Sequence, residues 1–104
     1  MRRVLWSPRG LKLFEREVVG HVTKEGQTVA RRVLGDIERT LKLLAERPIG
    51  RPGRIQGTYE KSVVGQPTIV AYAFLPRDDG AADDLLVLRI IHTARDWPPG
   101  RWPR

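Results

Sequence analysis

The sequence predicts an α+β layer: an N-terminal strand, an antiparallel hairpin of two helices, then a three-stranded antiparallel sheet with the helices on one face. Three observations predict it. Apolar residues recur at steps of three and four in two segments separated by "KEGQ", which is the helical period. The stretch "RPIGRPGRIQG" then gathers two prolines and three glycines and breaks that period. Everything after it reads as β-like apolar runs separated by turn residues.

Taken in order, "RRVLW" is a short strand, and "SP" after it is a helix start, with Ser7 able to cap free amides and Pro8 suited to the first helical position. Leu11, Phe14, Val18 and Val22 then share one helical stripe, and Gly26 stops the helix. The second helix lies in "QTVARRVLGDIERTLKLLAERP", with Val29 or Ala30, Val33, Ile37, Leu41 and Leu44 as its apolar stripe. Thr28 is its expected cap, Pro48 its stop, and Glu38 and Lys42 are spaced to pair on its outer side. The three strands are expected at 54–64, 67–75 and 84–92, with a tight turn at Gly65 and Gln66 and an acidic loop "PRDDGAAD" between the last two. The last strand is apolar on both faces and belongs at the centre of the sheet, with the first strand pairing back as an edge. The second sheet face is expected to be open.

A chain of 104 residues with 40% hydrophobic and 30% charged residues makes one domain, placed at residues 1–98, with a short proline-rich tail at 99–104. The absence of cysteine excludes disulfides, thiolate metal sites and a cysteine nucleophile, and suits a reducing cytoplasm. "MRRVLWSPRG" falls short of a signal-peptide core, and no run approaches the roughly 18 apolar residues of a membrane span. A net charge of +7 calls for a negatively charged partner. Thirteen of the 19 basic residues lie between Arg2 and Arg54, while Asp78, Asp79, Asp83 and Asp84 cluster later, so the charge is polarised rather than a uniform coat.

Near the end of the chain His92, Arg95 and Asp96 combine a group that titrates near neutrality with a cationic fork that grips phosphate. The plainer expectation is that His92 caps the last strand and that Asp96 pairs with Arg95 or a loop arginine to hold the tail. Tyr59 and Tyr72 have the chemistry to stack bases, but alternating strand tyrosines are more commonly sheet packing. Arg51 and Arg54 sit in a loop that would cradle phosphate if it folded against the sheet, whereas isolated basic loops are generally solvated. Trp97 and Trp102 flank prolines in the tail, where docking on the body is expected. No glycine run continues into Lys-Ser/Thr, and no His, Asp or Glu cluster has metal-ligand spacing, so neither cofactor nor metal is expected.

Four stretches in order, "WSPRGLKLFE", "LAERPIGRPGRIQGTYE", "IVAYAF" and "LVLRIIHTARDWP", resemble the ParE branch of the ParE/RelE superfamily of bacterial toxins from type II toxin–antitoxin systems. The resemblance spans residues 4 to 98. It departs in the Gly-Thr-x-Glu turn, where relatives often carry arginine and this chain has Tyr59, followed by Lys61 at a usually apolar position.

The resemblance implies a toxin neutralised by a cognate antitoxin whose acidic segment lies along the helices and sheet, with Leu11, Phe14, Val18, Arg31, Arg32, Arg39 and Tyr72 as expected contacts. ParE-branch toxins are linked to inhibition of DNA gyrase without catalysis, for which Arg51, Arg54, Tyr59, Lys61, Arg95 and Trp97 would face the target. RelE-branch toxins instead cleave mRNA on the ribosome, and Lys61, Arg89, His92 and Arg95 are the residues that would carry that chemistry. A degenerate toxin that only binds antitoxin and helps repress its operon is the third reading.

Overall fold

In the structure, a computed structural model that describes residues 1–47 and 49–93, β1 (Val4–Trp6) leads directly into the first helix. The opening turn is as expected: the Gly10 amide donates to the Ser7 hydroxyl oxygen at 3.0 Å, and Pro8 is the first helical residue. The helix starts as α1 (Pro8–Leu13), widens into a π-helical segment (Phe14–Val19) and ends in a last α turn, α2 (Gly20–Thr23). A π turn holds an extra residue, so the face it buries shifts along the sequence. Gly10, Leu13, Val18 and Val22 are buried, Phe14 is half-buried, and Leu11, placed on the stripe by α-helical spacing, is 42% exposed.

α3 (Gln27–Glu46) buries Ala30, Ile37 and Leu44, with Val33 and Leu41 packed partly beside them, which is the stripe that the period of 3.6 predicts. Its start is one correction. The cap residue is Gly26, at φ 108°, and Thr28 lies inside the first turn with no capping bond. Gly26 both ends the reversal from the first helix and opens the second, which a left-handed backbone makes possible in a short connection. Along α3 the ion pair among the described residues is Asp36–Arg39 rather than Glu38–Lys42. The helix ends as Arg47 turns extended (φ −140°, ψ 106°), as the residue before a proline must. Pro48 itself lies outside the described residues.

The sheet is five-stranded in the order β1-β5-β4-β3-β2: it contains the expected antiparallel three with the first strand at an edge, but it is mixed rather than purely antiparallel and gains one strand. β3 (Tyr59–Ser62), β4 (Thr68–Leu75) and β5 (Asp84–His92) form the antiparallel part, and β1 pairs in parallel with Leu85–Val87 of β5. β5 runs over the predicted residues and is interior, between β1 and β4, rather than the middle strand of the five. The added strand is β2 (Arg51–Pro52), which pairs with Tyr59 and Glu60 inside what the sequence marks as a loop. A proline is tolerated there because β2 is the sheet edge. The expected strand 54–64 shortens accordingly, since residues 54–57 turn and the Gly53 amide bonds the Thr58 carbonyl at 2.8 Å.

A bulge sets the faces. Ala71 pairs with Arg89 but Tyr72 with Val87, leaving Leu88 as the extra residue on β5. On one side of the bulge Ile90 faces the helices, on the other Val87 and Leu85 do, and all three join Val18, Ile37, Leu44, Val63, Val70 and Tyr72 in the core. Cross-strand neighbours share a face, so Lys61, Val70 and Ile90 form a helix-side row, and Glu60, Ala71 and Arg89 a row on the opposite side. That second face is not open as expected: Ala71 and Ile91 are fully buried, and Glu60 and Arg89 nearly so. The first helix contributes by lying along the edge of β5 that β1 leaves uncovered. A Cβ on Gly10 would stand 2.5 Å from the Leu88 carbonyl oxygen, and Glu17 reaches Arg89.

Candidate functional site

Three surfaces carry the residues singled out in the sequence. The first is a cleft of about 280 Å³ between the tip of the helix hairpin and the β3–β4 turn. Val18, Val22, Val29 and Val33 give it an apolar floor, and His21, Glu25, Arg32, Gln66, Thr68 and His92 stand around it. His21 lies 3.4 Å from Glu25 one helical turn on. The Gln66 amide donates to the Asp36 carboxylate at 2.9 Å, which clamps the β3–β4 turn onto α3. That bond, with the Arg39 and Arg32 guanidinium groups nearby, holds the Asp36 carboxyl below the usual carboxylate range.

The second is the basic loop before β3. Glu60 is buried, and its carboxylate accepts from the Arg51 guanidinium and from the Arg54 amide, both at 3.3 Å. The Gly50 amide donates to the Tyr72 hydroxyl at 3.0 Å. A Cβ on Gly50 would stand 2.2 Å from that oxygen, so only glycine fits. Burial pushes the Tyr72 phenol above its ordinary pKa. Tyr59 stacks on Tyr72 with ring centroids 5.7 Å apart and lies 5.2 Å from Phe74. Its ring face is therefore spent on packing, while the exposed loop presents Arg47, Ile49, Arg51, Arg54 and Ile55.

The third is the outer side of α3, where Arg31, Arg32 and Arg39 are all exposed. Of the other expected antitoxin contacts, Leu11 is exposed and Phe14 half-buried, but Val18 and Tyr72 belong to the core, and Tyr72 has no accessible surface. A residue with no surface cannot meet a partner on the folded chain.

Of the candidate nuclease residues, Lys61, Arg89 and His92 are described, and these three do not converge. Lys61 stands in the helix-side row of the sheet, whereas Arg89 faces the opposite side, with its guanidinium at 3.0 and 3.1 Å from the Glu17 carboxylate oxygens. His92 closes β5 opposite Thr68 and lines the cleft, two strands and two residues from Lys61. Arg95, Asp96, Trp97 and Trp102 lie outside the described residues. Among the described residues no cluster of His, Asp or Glu is placed to hold a metal ion, and no helix is long and apolar enough to cross a membrane.

The sequence reading missed the cleft and the work of Glu60. The signal for Glu60 was present in "GTYE", a carboxylate in a strand otherwise flanked by a basic loop. For the cleft the signal was weaker: His21 and Glu25 at helical spacing, four residues from Val29.

No family model matches the chain. A protein of Sinorhizobium fredii (strain NBRC 101917 / NGR234) named "Putative toxin Y4kP" is 31% identical over 98 residues, covering 93% of this chain and 94% of that protein. Among solved structures, a chain of the "Chromosomal ParDE TA system from P. aeruginosa" shares the fold, with a TM-score of 0.66 at 18% identity, over 86% of this chain and 94% of that one. Matched almost end to end at 31% identity, the chain belongs to the same family as "Putative toxin Y4kP", and it has the fold of a chain from a ParDE toxin–antitoxin system.

Proposed function

We propose that this chain is the toxin of a ParDE-like pair in the cytoplasm, held inactive by a cognate antitoxin, and that when released it inhibits DNA gyrase by binding rather than by chemistry. The observation that supports the non-catalytic part is the dispersal of the described candidate nuclease residues, Lys61, Arg89 and His92. Cleaving RNA through its 2′-hydroxyl needs a base, a cation and an acid around one phosphate. Here Lys61 and Arg89 stand on opposite faces of the sheet, and Arg89 is engaged by Glu17. Target contact falls instead to the basic loop, where Arg51 and Arg54 are exposed and held in place through Glu60. Neutralisation by an acidic antitoxin is supported by the net charge of +7 and by the exposed Arg31, Arg32 and Arg39 along α3.

The test is expression of the toxin alone, with plasmid supercoiling and cut sites in translated mRNA measured separately. Loss of negative supercoiling without in-frame mRNA cuts is expected, and His92→Ala is expected to retain toxicity. In-frame cuts that disappear in His92→Ala would instead establish a ribosome-dependent endoribonuclease.

A further inference from the structure

The loop between α3 and β3 holds two isoleucine side chains out in solvent, Ile49 at 55% and Ile55 at 42% exposure. A lone exposed isoleucine is ordinary. These two differ in that the backbone is tied down beside each of them. The Ile49 amide donates to the Arg47 carbonyl at 2.8 Å, and the next amide, of Gly50, donates to the Tyr72 hydroxyl. The Ile55 carbonyl accepts from the Thr58 amide at 3.1 Å and from the Thr58 hydroxyl. Between them, buried Glu60 holds the Arg51 guanidinium and the Arg54 amide. An apolar side chain presented on a fixed loop can be covered in a complex with little loss of backbone freedom.

The charge on this loop has one sign. From Arg47 to Gly57 the sequence contains three arginines, all exposed, and no acidic residue. Glu46 is the exposed carboxylate just before it, and the acidic β4–β5 loop starts two strands from β2, with Asp79 answered by Arg77 and Asp84 by Arg3. A nucleic-acid backbone would use the arginines but gains nothing by covering isoleucine. Nor does the loop offer bases a ring to stack on: it has no aromatic residue, and Tyr59 beside it is packed on Tyr72 and Phe74. A protein surface with an apolar depression bordered by carboxylates uses both kinds of side chain. We propose that Ile49 and Ile55 are the anchors of the target contact, and that the loop recognises such a protein surface on gyrase rather than DNA phosphates. The proposal rests on the reading that the basic loop meets gyrase, and it adds the class of surface found there and the side chains that hold it.

The experiment measures binding of purified gyrase, and separately of a DNA duplex, to the full 104-residue chain and four variants by calorimetry. Ile49→Ser and Ile55→Ser remove the anchors one at a time, and Arg47→Gln removes a loop charge. Val64→Ser removes a still more exposed apolar side chain, at 79%, from the β3–β4 turn at the other end of the sheet. All four positions are exposed, and circular dichroism with thermal melting confirms that each variant folds. The unsubstituted chain is expected to bind gyrase in the absence of DNA and to bind the duplex far more weakly. Each isoleucine variant is expected to weaken gyrase binding about tenfold, the scale of an anchor residue, and Val64→Ser by less than about twofold. Arg47→Gln is expected to weaken it mainly at low salt.

Gyrase binding unchanged in both isoleucine variants would overturn the anchor assignment while leaving gyrase as the target. A duplex bound as tightly as gyrase, with a loss in Arg47→Gln alone, would overturn it too, since that is the pattern of a phosphate contact. An equal loss in Val64→Ser would overturn it by showing a general effect of apolar surface. No binding of gyrase by the unsubstituted chain would overturn the gyrase reading and the proposal with it.

Discussion

Removing the Tyr72 hydroxyl leaves the Gly50 amide without the oxygen it donates to, at the point where the basic loop joins the core. Tyr72→Phe is expected to destabilise the fold by about 1 kcal/mol, read as a lower urea midpoint at unchanged slope. Gly50→Ala drives a methyl toward the Tyr72 oxygen and to 2.6 Å from the Glu60 carbonyl oxygen. The second contact is backbone and cannot swing away, so a loss of about 1–3 kcal/mol is expected in the same assay. The loop arginines are then expected to lose their fixed placement. At this scale the sequence was a partial guide. Tyr72 could be read as sheet packing from strand alternation, but nothing local says that its hydroxyl meets an amide 22 residues earlier.

At the scale of elements, the first helix depends on two features of its opening turn. Ser7→Ala removes the cap bond to Gly10 and is expected to lower stability by about 1 kcal/mol. Gly10→Ala, a change that raises helix propensity in isolation, is expected to destabilise instead, because its methyl would meet the Leu88 carbonyl oxygen at 2.5 Å. Thermal melts of the two variants check the order, with Gly10→Ala the lower. What could be read from sequence at this scale follows from local period and punctuation: the α3 stripe from Ala30 to Leu44, the Ser-Pro start, and β5 from Asp84 to His92. The π segment, the two-residue β2 and the bulge at Leu88 escaped because each depends on what the chain meets in three dimensions. The π turn moves the buried face from Leu11 to Leu13, and β2 exists only because Tyr59 and Glu60 lie beside it.

At the scale of the whole molecule, the acidic loop that looked like a counterweight to the basic half is partly spent on internal pairing. Arg3 grips the buried Asp84 through two hydrogen bonds of 2.7 and 2.8 Å, and Arg77 pairs with Asp79. The Arg3 guanidinium holds the Asp84 carboxyl below its ordinary pKa. A carboxyl depressed by folding contributes stability at neutral pH and loses it as pH falls past the unfolded value, about 3.9 for aspartate, and through the folded one. Asp84→Asn is therefore expected to be less stable than the parent at pH 7, with a shallower further decline below about pH 4. Urea titrations at a series of pH values measure both. Asp36 and Asp79, also depressed, keep the remaining slope from vanishing.

The parallel pairing of β1 with β5 also imposes an order in time. Val4, Leu5 and Trp6 find their ladder partners in Leu85, Leu86 and Val87, and the Arg3–Asp84 bridge closes over the same 81 residues. During synthesis at about 5–20 residues per second, the first strand waits unpaired until Leu85, Leu86 and Val87 have been made. A nascent chain thus keeps one edge strand of its sheet unmade until β5 has been synthesised, whatever the helices between have already formed.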